Sequence, residues 1–172
     1  MKTQIAFLDR DGTINKDYPD EEWRNIEKPE LLSGTIKGLK LIQRYDYKII
    51  IVTNQNIIAD HIITLEQYNN FNKKLIKILQ ENGIEVLNIY YCPHNDFDNC
   101  NCKKPKTGMI DMALKDYDID LTTSFFVGDS YGDYKLAQKF NLDFYGIKGI
   151  NDDSIFKYNN LHEVILEREE NQ

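Results

Sequence analysis

Two aspartates near the start of the chain, Asp9 and Asp11, have the types and spacing that chemistry requires. They follow a short apolar run and precede Gly12. In an extended backbone, residues two apart point to the same side, so both carboxylates can face one site. Adjacent carboxylates repel each other unless a cation lies between them, and the pair therefore indicates a hard cation such as Mg²⁺. Taken alone, the residues also fit an ordinary aspartate–glycine turn.

Further polar groups follow later apolar runs of the sequence. Thr53, Asn54 and Gln55 supply a hydroxyl and two amides, which suit phosphate oxygens but also suit a helix cap. Asp129 is a third carboxylate that can complete a magnesium site. Lys104, directly before a proline, supplies a positive charge, although a lone lysine is ordinarily a solvated surface residue.

The three cysteines and one histidine form a second group, made of Cys92, His94, Cys100 and Cys102. Three cysteines cannot form an even disulfide framework, and a cluster of this kind in a reducing compartment indicates a metal. Three thiolates and one imidazole are a tetrahedral ligand set for Zn²⁺ and leave no open position, which predicts a structural site. Buried free cysteines are the alternative, and the polar loop around them disfavours it.

The rest of the chain alternates strand-like and helix-like segments. Strands are predicted at 4–8, 48–53, 86–91, 124–127 and 143–147. Helices are predicted at 36–45, 65–82, 110–117, 131–140 and 161–168. This order predicts an α/β fold with one doubly wound, Rossmann-like parallel sheet flanked by helices. Ligands of such sheets bind at the carboxyl ends of the strands, and the paired aspartates, the Thr53 segment and Asp129 each follow a predicted strand.

Length and charge restrict the function classes. The 172 residues fit a single domain, 1–172, with the zinc loop within 92–105. A net charge of −7 argues against a nucleic-acid partner, but a metal ion and local lysines can still bind a small anion. No apolar run is long enough to span a membrane and no signal peptide is visible. We expect a cytoplasmic protein, a monomer, with no nucleic-acid or membrane partner.

The order of these motifs resembles that of the haloacid dehalogenase-like phosphohydrolase superfamily, over the chain to about position 149. The resemblance implies that Asp9 is a nucleophile forming an aspartyl-phosphate and that Asp11 is the general acid and base. It also implies Mg²⁺ held by Asp9, the carbonyl of Asp11 and Asp129. Thr53 and Lys104 would hold the oxygens of the transferred phosphoryl group.

Asp133 is either a first-turn helix acid or a support for Lys104 or a metal-bound water. The zinc loop lacks a hydrophobic anchor of its own, so zinc would fold it and position Lys103 and Lys104. A zinc loop directly before Lys-Pro resembles the branch without a cap domain, which contains heptose bisphosphate phosphatases and histidinol-phosphate phosphatases. Substrate recognition would then come from loops.

The substrate expectation is a small phosphorylated metabolite. Asp17 and Asp20 can accept hydrogen bonds from hydroxyls, Lys103 can meet a second anionic group, and Asn54 and Gln55 can also contact the substrate. These features favour a heptose 1,7-bisphosphate. The ammonium of histidinol phosphate, which would pair with the same acids, is the alternative.

The segments 91–94 and 106–109 are closer to the heptose enzymes, and the short spacing from His94 to Cys100 is closer to the histidinol-phosphate enzymes. The segment 56–61 lacks the glycine usual in both. A nucleic-acid end phosphatase and a zinc-stabilised module without catalysis are weaker alternatives. The complete set of motif residues disfavours the non-catalytic module.

Overall fold

A computed structural model describes residues 2–170. The strands are β1 (Ile5–Leu8), β2 (Lys48–Asn54), β3 (Val86–Cys92), β4 (Phe125–Gly128), β5 (Asp143–Ile147) and β6 (Phe156–Tyr158). The helices are α1 (Thr35–Arg44), α2 (Leu65–Glu81), α3 (Gly108–Asp116), α4 (Tyr131–Lys139) and α5 (Leu161–Glu170), with a 3₁₀ helix at Asp20–Asn25. The described residues therefore alternate between strand and helix along most of their length.

The strands form one six-stranded sheet in the order β3-β2-β1-β4-β5-β6, and every neighbouring pair is parallel. The strand order reverses beside β1, the strand that precedes the paired aspartates. A crevice opens at such a reversal, because the connections on its two sides run to opposite faces of the sheet. The predicted doubly wound parallel sheet is confirmed, and no second sheet that would form a cap domain exists in residues 2–170.

The apolar faces of the helices cover both sides of this sheet. The core on one side contains residues of α1, α2 and α5, among them Leu39, Leu75 and Val164. The core on the other side contains residues of α3 and α4, such as Ile110 and Leu136. Strands β1 and β4 are buried along their whole length, as expected for central parallel strands, which are apolar on both faces.

A third, smaller cluster lies near the carboxyl ends of β1 and β2. It joins the 3₁₀ helix, the segment after β2 and the start of α2 through Trp23, Ile57, Ile63, Tyr68 and Phe71. This cluster holds the loops around the crevice in place. None of the helices in residues 2–170 combines the length and apolar character needed to cross a membrane.

Helix α2 begins where the sequence predicts and ends one residue earlier, at Glu81. The hydroxyl of Thr64 accepts a hydrogen bond from the backbone of Gln67, whose side chain accepts one from the backbone N–H of Thr64. This reciprocal pair is the predicted capping box. After the helix, Gly83 has a φ of +73°, a left-handed conformation that glycine adopts without the strain caused by a side chain.

Candidate active site

The carboxyl ends of β1, β2 and β4 surround a polar cavity of about 230 Å³. It is lined by Asp9, Asp11, Asp17, Asp20, Trp23, Thr53, Asn54, Gln55, Asn56, Ile57, Lys104, Asp129 and Ser130. The structure thus brings together all the residues predicted for catalysis and magnesium binding. It also places four of the five residues predicted for substrate binding in this cleft, and the exception is Lys103.

Lys104 is the cation at the floor of the cleft. Its side chain is 4% exposed, and its ammonium lies 2.5 Å from Asp9 and 2.7 Å from Asp133. It also donates to the carbonyl of Val52 at 2.8 Å. Burial alone would lower the pKa of Lys104, but Asp133 and then Asp9 reverse the effect and raise it. Lys104 is therefore a fixed positive charge, and Asp133 supports it directly.

Asp9 lies in a strongly negative environment. Burial raises its pKa well above the ordinary value; Lys104 opposes this shift, while Asp133, Asp129 and Asp11 add to it. Burial and then Asp133 likewise raise the pKa of Asp129 to about 7. In both residues burial is the main cause of the raised pKa and neighbouring aspartates add to it, so the ionised carboxylates have too little positive charge near them. A divalent cation would supply it.

The geometry of these carboxylates fits such a cation. Oxygens of Asp9, Asp129 and Asp133 all lie within 4.8 Å of one another. Both oxygens of Asp133 have partners, Oδ1 with Lys104 and Oδ2 with the backbone and hydroxyl of Ser130. Asp9 pairs with Lys104 through Oδ1, which leaves its Oδ2, together with Asp129, for a metal. Carboxylate oxygens are hard donors of the type that Mg²⁺ prefers.

Asp11 is held by hydrogen bonds from three side chains. Arg10 donates two, at 2.9 and 2.8 Å, one to each carboxylate oxygen. Asn15 and Gln55 donate one each at 2.8 Å. These contacts fix the carboxylate at the edge of the cleft, with the side chain 14% exposed.

At the end of β2, Asn54 and Gln55 make two different sets of hydrogen bonds. Gln55 bonds both Asp11 and the hydroxyl of Thr53, at 2.8 and 2.9 Å, and so links two of the predicted catalytic residues. Asn54 donates to the backbone carbonyl of Lys104 at 3.2 Å and accepts from its backbone N–H at 2.8 Å. Asn54 therefore fastens the lysine loop to β2.

The mouth of the cleft carries Asp17 and Asp20, and Trp23 forms part of its wall. Partial desolvation raises the pKa of Asp17, and the nearby Asp11 adds to the shift. Lys103 does not line the cleft, since its ammonium pairs with Asp96 at 2.6 Å in the loop that follows β3. The sequence predicts that Lys103 contacts the substrate, but in this arrangement its ammonium lies outside the cleft.

The four predicted zinc ligands converge in space. Cys92 lies 3.6 Å from Cys100 and 3.0 Å from Cys102, measured between sulfurs, and the Nδ1 of His94 lies 3.2 Å from the sulfur of Cys102. Sulfurs around a tetrahedral Zn²⁺ are about 3.7 Å apart, given a Zn–S bond of about 2.3 Å. The donor set is that of a structural zinc site and the four ligand atoms lie within 4.8 Å of one another, but the 3.0 Å between Cys92 and Cys102 is shorter than the spacing around a bound ion. Lys104 follows two residues after the last ligand.

A larger and mainly apolar cavity of about 580 Å³ lies beside this cysteine cluster, with Tyr91 and Met112 among its lining residues. Its lining contains no carboxylate and no lysine. Of these two cavities, it is the smaller polar cleft that carries the carboxylates and the lysine that phosphoryl transfer needs.

Two residues that hold Asp11 in the site, Arg10 and Asn15, were not predicted from the sequence. Arg10 is 1% exposed and Asn15 is fully buried, and both bond Asp11. Arg10 could have been identified from its position, because a charged side chain this close to a fully buried strand needs a partner within the fold. Asn15 gave no comparable signal, since its role depends on the turn at residues 10–15.

The comparisons with known proteins identify the family of this chain. The model of the family described as polynucleotide kinase 3 phosphatase matches residues 4–149. A probable D-glycero-D-manno-heptose-1,7-bisphosphate 7-phosphatase of Thermoplasma volcanium is 42% identical over 148 residues, which are 84% of this chain and 97% of that protein. The histidine biosynthesis bifunctional protein HisB of Blochmanniella floridana is 32% identical over 97% of this chain, but over only 46% of its own length.

Among solved structures, the D,D-heptose 1,7-bisphosphate phosphatase of B. bronchiseptica, complexed with magnesium and phosphate, shares the fold with a TM-score of 0.83. It is 24% identical, and the match covers 99% of this chain and 100% of that one. The chain therefore belongs to the polynucleotide kinase 3 phosphatase family, one of the haloacid dehalogenase-like phosphatases.

Proposed function

We propose that this phosphatase hydrolyses a heptose 1,7-bisphosphate through an aspartyl-phosphate on Asp9, with Mg²⁺ as its catalytic metal. The observation that carries the proposal is the geometry of the cleft floor. There, the buried carboxylate of Asp9 lies 2.5 Å from Lys104 and shares a group of carboxylates with Asp129. A nucleophile, a fixed cation and metal-binding oxygens are what phosphoryl transfer requires.

The reaction takes two steps. In the first, an oxygen of Asp9 attacks phosphorus, the bond from phosphorus to the sugar oxygen breaks, and Asp11 gives its proton to that oxygen. In the second, Asp11 takes a proton from water, the water oxygen attacks phosphorus, and the bond to Asp9 breaks. Inorganic phosphate leaves and both aspartates return to their starting states.

The other polar groups bind and orient. Lys104 neutralises charge beside Asp9, and the hydroxyl of Thr53, 1% exposed, provides a hydrogen-bonding group at the end of β2. Asp9, Asp129 and the carbonyl of Asp11 would hold Mg²⁺. When bound, the ion offsets the repulsion between these carboxylates and the incoming phosphate. The four-ligand zinc site is structural in this proposal, since it leaves no position for substrate.

The acidic mouth supports a substrate rich in hydrogen-bond donors. Asp17 and Asp20 accept hydrogen bonds, and the side-chain oxygen of Gln55 is buried in the cleft wall without a donor. Sugar hydroxyls would satisfy these acceptors. The relative at 42% identity is named for a heptose bisphosphate, which favours this sugar over other polyols.

Histidinol phosphate is the second candidate, because its ammonium would pair with Asp17 and Asp20. The relationship to HisB supports it, although at 32% identity, compared with 42% for the relative named as a heptose enzyme. The family description also raises a polynucleotide 3′-end as substrate. A nucleic acid would carry further phosphates past Asp17 and Asp20, where like charges repel.

The test is a comparison of kcat/KM across a panel with Mg²⁺ present. The panel contains the heptose 1,7-bisphosphate, other sugar phosphates, histidinol phosphate and a 3′-phosphorylated oligonucleotide. We expect the heptose compound to be hydrolysed most efficiently, with Asp9→Asn inactive towards every member. A site built for one set of polar groups leaves them unpaired with another, so the panel separates the candidates. Higher efficiency with histidinol phosphate or the oligonucleotide would reject the heptose assignment.

A further inference from the structure

Arg10, which separates Asp9 from Asp11, is a buried charge that the proposed reaction does not use. It is 1% exposed, and its guanidinium carbon lies 4.7 Å from the ring centre of Phe71, 5.5 Å from that of Tyr68 and 5.6 Å from that of Trp23. A buried charge is costly unless it is paired and hydrogen-bonded. The contacts that compensate for this burial therefore indicate what the residue does.

Those contacts lead to the general acid. The Nε and Nη2 of Arg10 donate to the two oxygens of Asp11 at 2.9 and 2.8 Å, and its Nη1 donates to Asn72 on α2 at 2.8 Å. A two-bond fork of this kind fixes both the position and the plane of a carboxylate. The three rings and Asn72 in turn hold the guanidinium in place.

The carboxylate of Asp11 has no lone pair to spare in this arrangement. An ionised carboxylate offers about four acceptor positions. Arg10 occupies two, and Asn15 and Gln55 occupy one each. The protonated form of Asp11 that the acid step needs must therefore lose at least one of these donors before it can act on a leaving oxygen. Gln55 is the donor most open to exchange, because its amide lines the cleft while the guanidinium is enclosed by the rings.

We propose that Arg10 is a positioning residue for the acid step, holding the carboxylate of Asp11 in the plane from which it protonates the leaving oxygen. The inference rests on the proposed function, which assigns the acid role to Asp11. It predicts a pattern of loss that depends on the leaving group. An alkyl oxygen, as in a sugar, needs the proton, whereas p-nitrophenolate leaves as a stable anion.

The experiment compares kcat/KM for p-nitrophenyl phosphate with kcat/KM for the alkyl phosphate that the wild type hydrolyses fastest. This parameter covers the step in which the leaving group departs and excludes the later hydrolysis of the intermediate. Arg10→Lys keeps the charge but loses the fork, and Arg10→Met removes both. We expect each to lower the alkyl value about 10²-fold, as loss of general acid catalysis does, and to change the aryl value little.

Arg168→Lys is the matched control. Arg168 is also a buried arginine, 4% exposed, with its guanidinium against the rings of Tyr47 and Phe125 at 4.8 and 4.5 Å. It packs in the core formed by α1 and α5, away from the cleft. We expect this variant to lower the melting temperature while the ratio of alkyl to aryl kcat/KM stays at the wild-type value.

Asp11→Asn tests the acid role of Asp11 separately from the positioning role of Arg10. It should show the same selective loss, and adding Arg10→Lys to it should reduce the alkyl value no further, because both changes remove one function. If Asp11→Asn is selective but Arg10→Lys lowers both values equally, Arg10 is only structural and the positioning role is overturned while the proposed function stands. If Asp11→Asn is itself unselective, the acid role fails together with the inference.

Discussion

At the scale of single residues, the proposed magnesium site depends on how closely the turn after Asp11 approaches Asp129. Gly12 has a φ of +87°, and a Cβ at this position would lie 1.9 Å from a carboxylate oxygen of Asp129. Glycine is therefore required both for the left-handed turn after Asp11 and for the space that Asp129 occupies. The turn brings the end of β1 and the end of β4 together at the proposed magnesium site.

Gly12→Ala should therefore weaken magnesium binding. The added methyl group must displace Asp129, and the positive φ adds strain, so we expect a loss of stability of more than about 1 kcal/mol. We also expect activity at limiting Mg²⁺ to fall at least about tenfold, as a loss of about 1.4 kcal/mol in metal binding would cause. Calorimetric titration of Mg²⁺ and a magnesium dependence of kcat/KM measure the effect.

Gly83→Ala is the control for this prediction. Gly83 also has a positive φ, +73°, but a Cβ there would meet nothing within 4 Å. It should share the loss of stability from backbone strain while keeping wild-type affinity for Mg²⁺. Equal magnesium affinities in the two variants would contradict the role given to Gly12.

At the scale of elements, the zinc loop and the end of β2 are joined by several hydrogen bonds. The backbone of Gln55 donates to the carbonyl of Cys92 at 2.7 Å, and the side chain of Asn95 donates to Asp60 at 3.1 Å. Asn54 binds the backbone of Lys104 through both ends of its amide. Order in the zinc loop is therefore coupled to the position of Lys104, the proposed catalytic lysine.

Cys100→Ser should release zinc and reduce activity through this coupling. A hydroxyl is a poor zinc ligand, and loss of a structural zinc removes folding free energy from the loop. We expect a zinc content well below one ion per chain, a lower melting temperature and a fall in kcat, measured by elemental analysis, thermal unfolding and turnover.

Phe97→Ser is the comparison for the zinc prediction. Phe97 lies in the same loop and is 95% exposed, without a role as ligand. It should keep zinc, stability and kcat. Full activity in zinc-free Cys100→Ser protein would show that the loop positions Lys104 without the metal.

The elements differ in how far the sequence predicts them. All five predicted strands are present with ends within one residue, because each is a buried apolar run. Strand β6 and the 3₁₀ helix at Asp20–Asn25 were not predicted, because a three-residue strand and a six-residue 3₁₀ helix are too short to show a clear hydrophobic periodicity. The positions of Asp9, Asp11 and Asp129 follow from their strands. The Arg10 fork and the pairing of Lys103 with Asp96 depend on tertiary packing, which no local pattern encodes.

At the scale of the whole molecule, the acidic character of the chain is concentrated where the metal is expected. The net charge is −7, and among residues 2–170 the cleft gathers five aspartates around Lys104 as its single lining cation. Lines of negative potential converge in such a cleft and raise the local concentration of cations. Protons and Mg²⁺ therefore compete for the same carboxylates.

This competition predicts that Mg²⁺ stabilises the protein more at high pH than at low pH. In the metal-free fold, burial and Asp133 raise the pKa of Asp129 to about 7. The folded state thus holds a proton there that the unfolded chain releases near its ordinary pKa of 3.8, and the stability from this proton is lost as pH rises towards 7. Mg²⁺ needs the ionised form, so its binding must expel the proton below about pH 7.

At a fixed Mg²⁺ concentration, the increase in melting temperature should therefore be small at about pH 5.5 and grow as the pH passes through about 7, following the ligand term RT ln(1 + [L]/Kd). Thermal unfolding with and without Mg²⁺ across this range measures it. Asp129→Asn is the control, because it removes this titrating ligand but keeps the zinc loop, and its increase should stay small across the whole pH range. A wild-type increase that is constant or that falls with rising pH would contradict the competition and the assignment of Asp129 as a metal ligand.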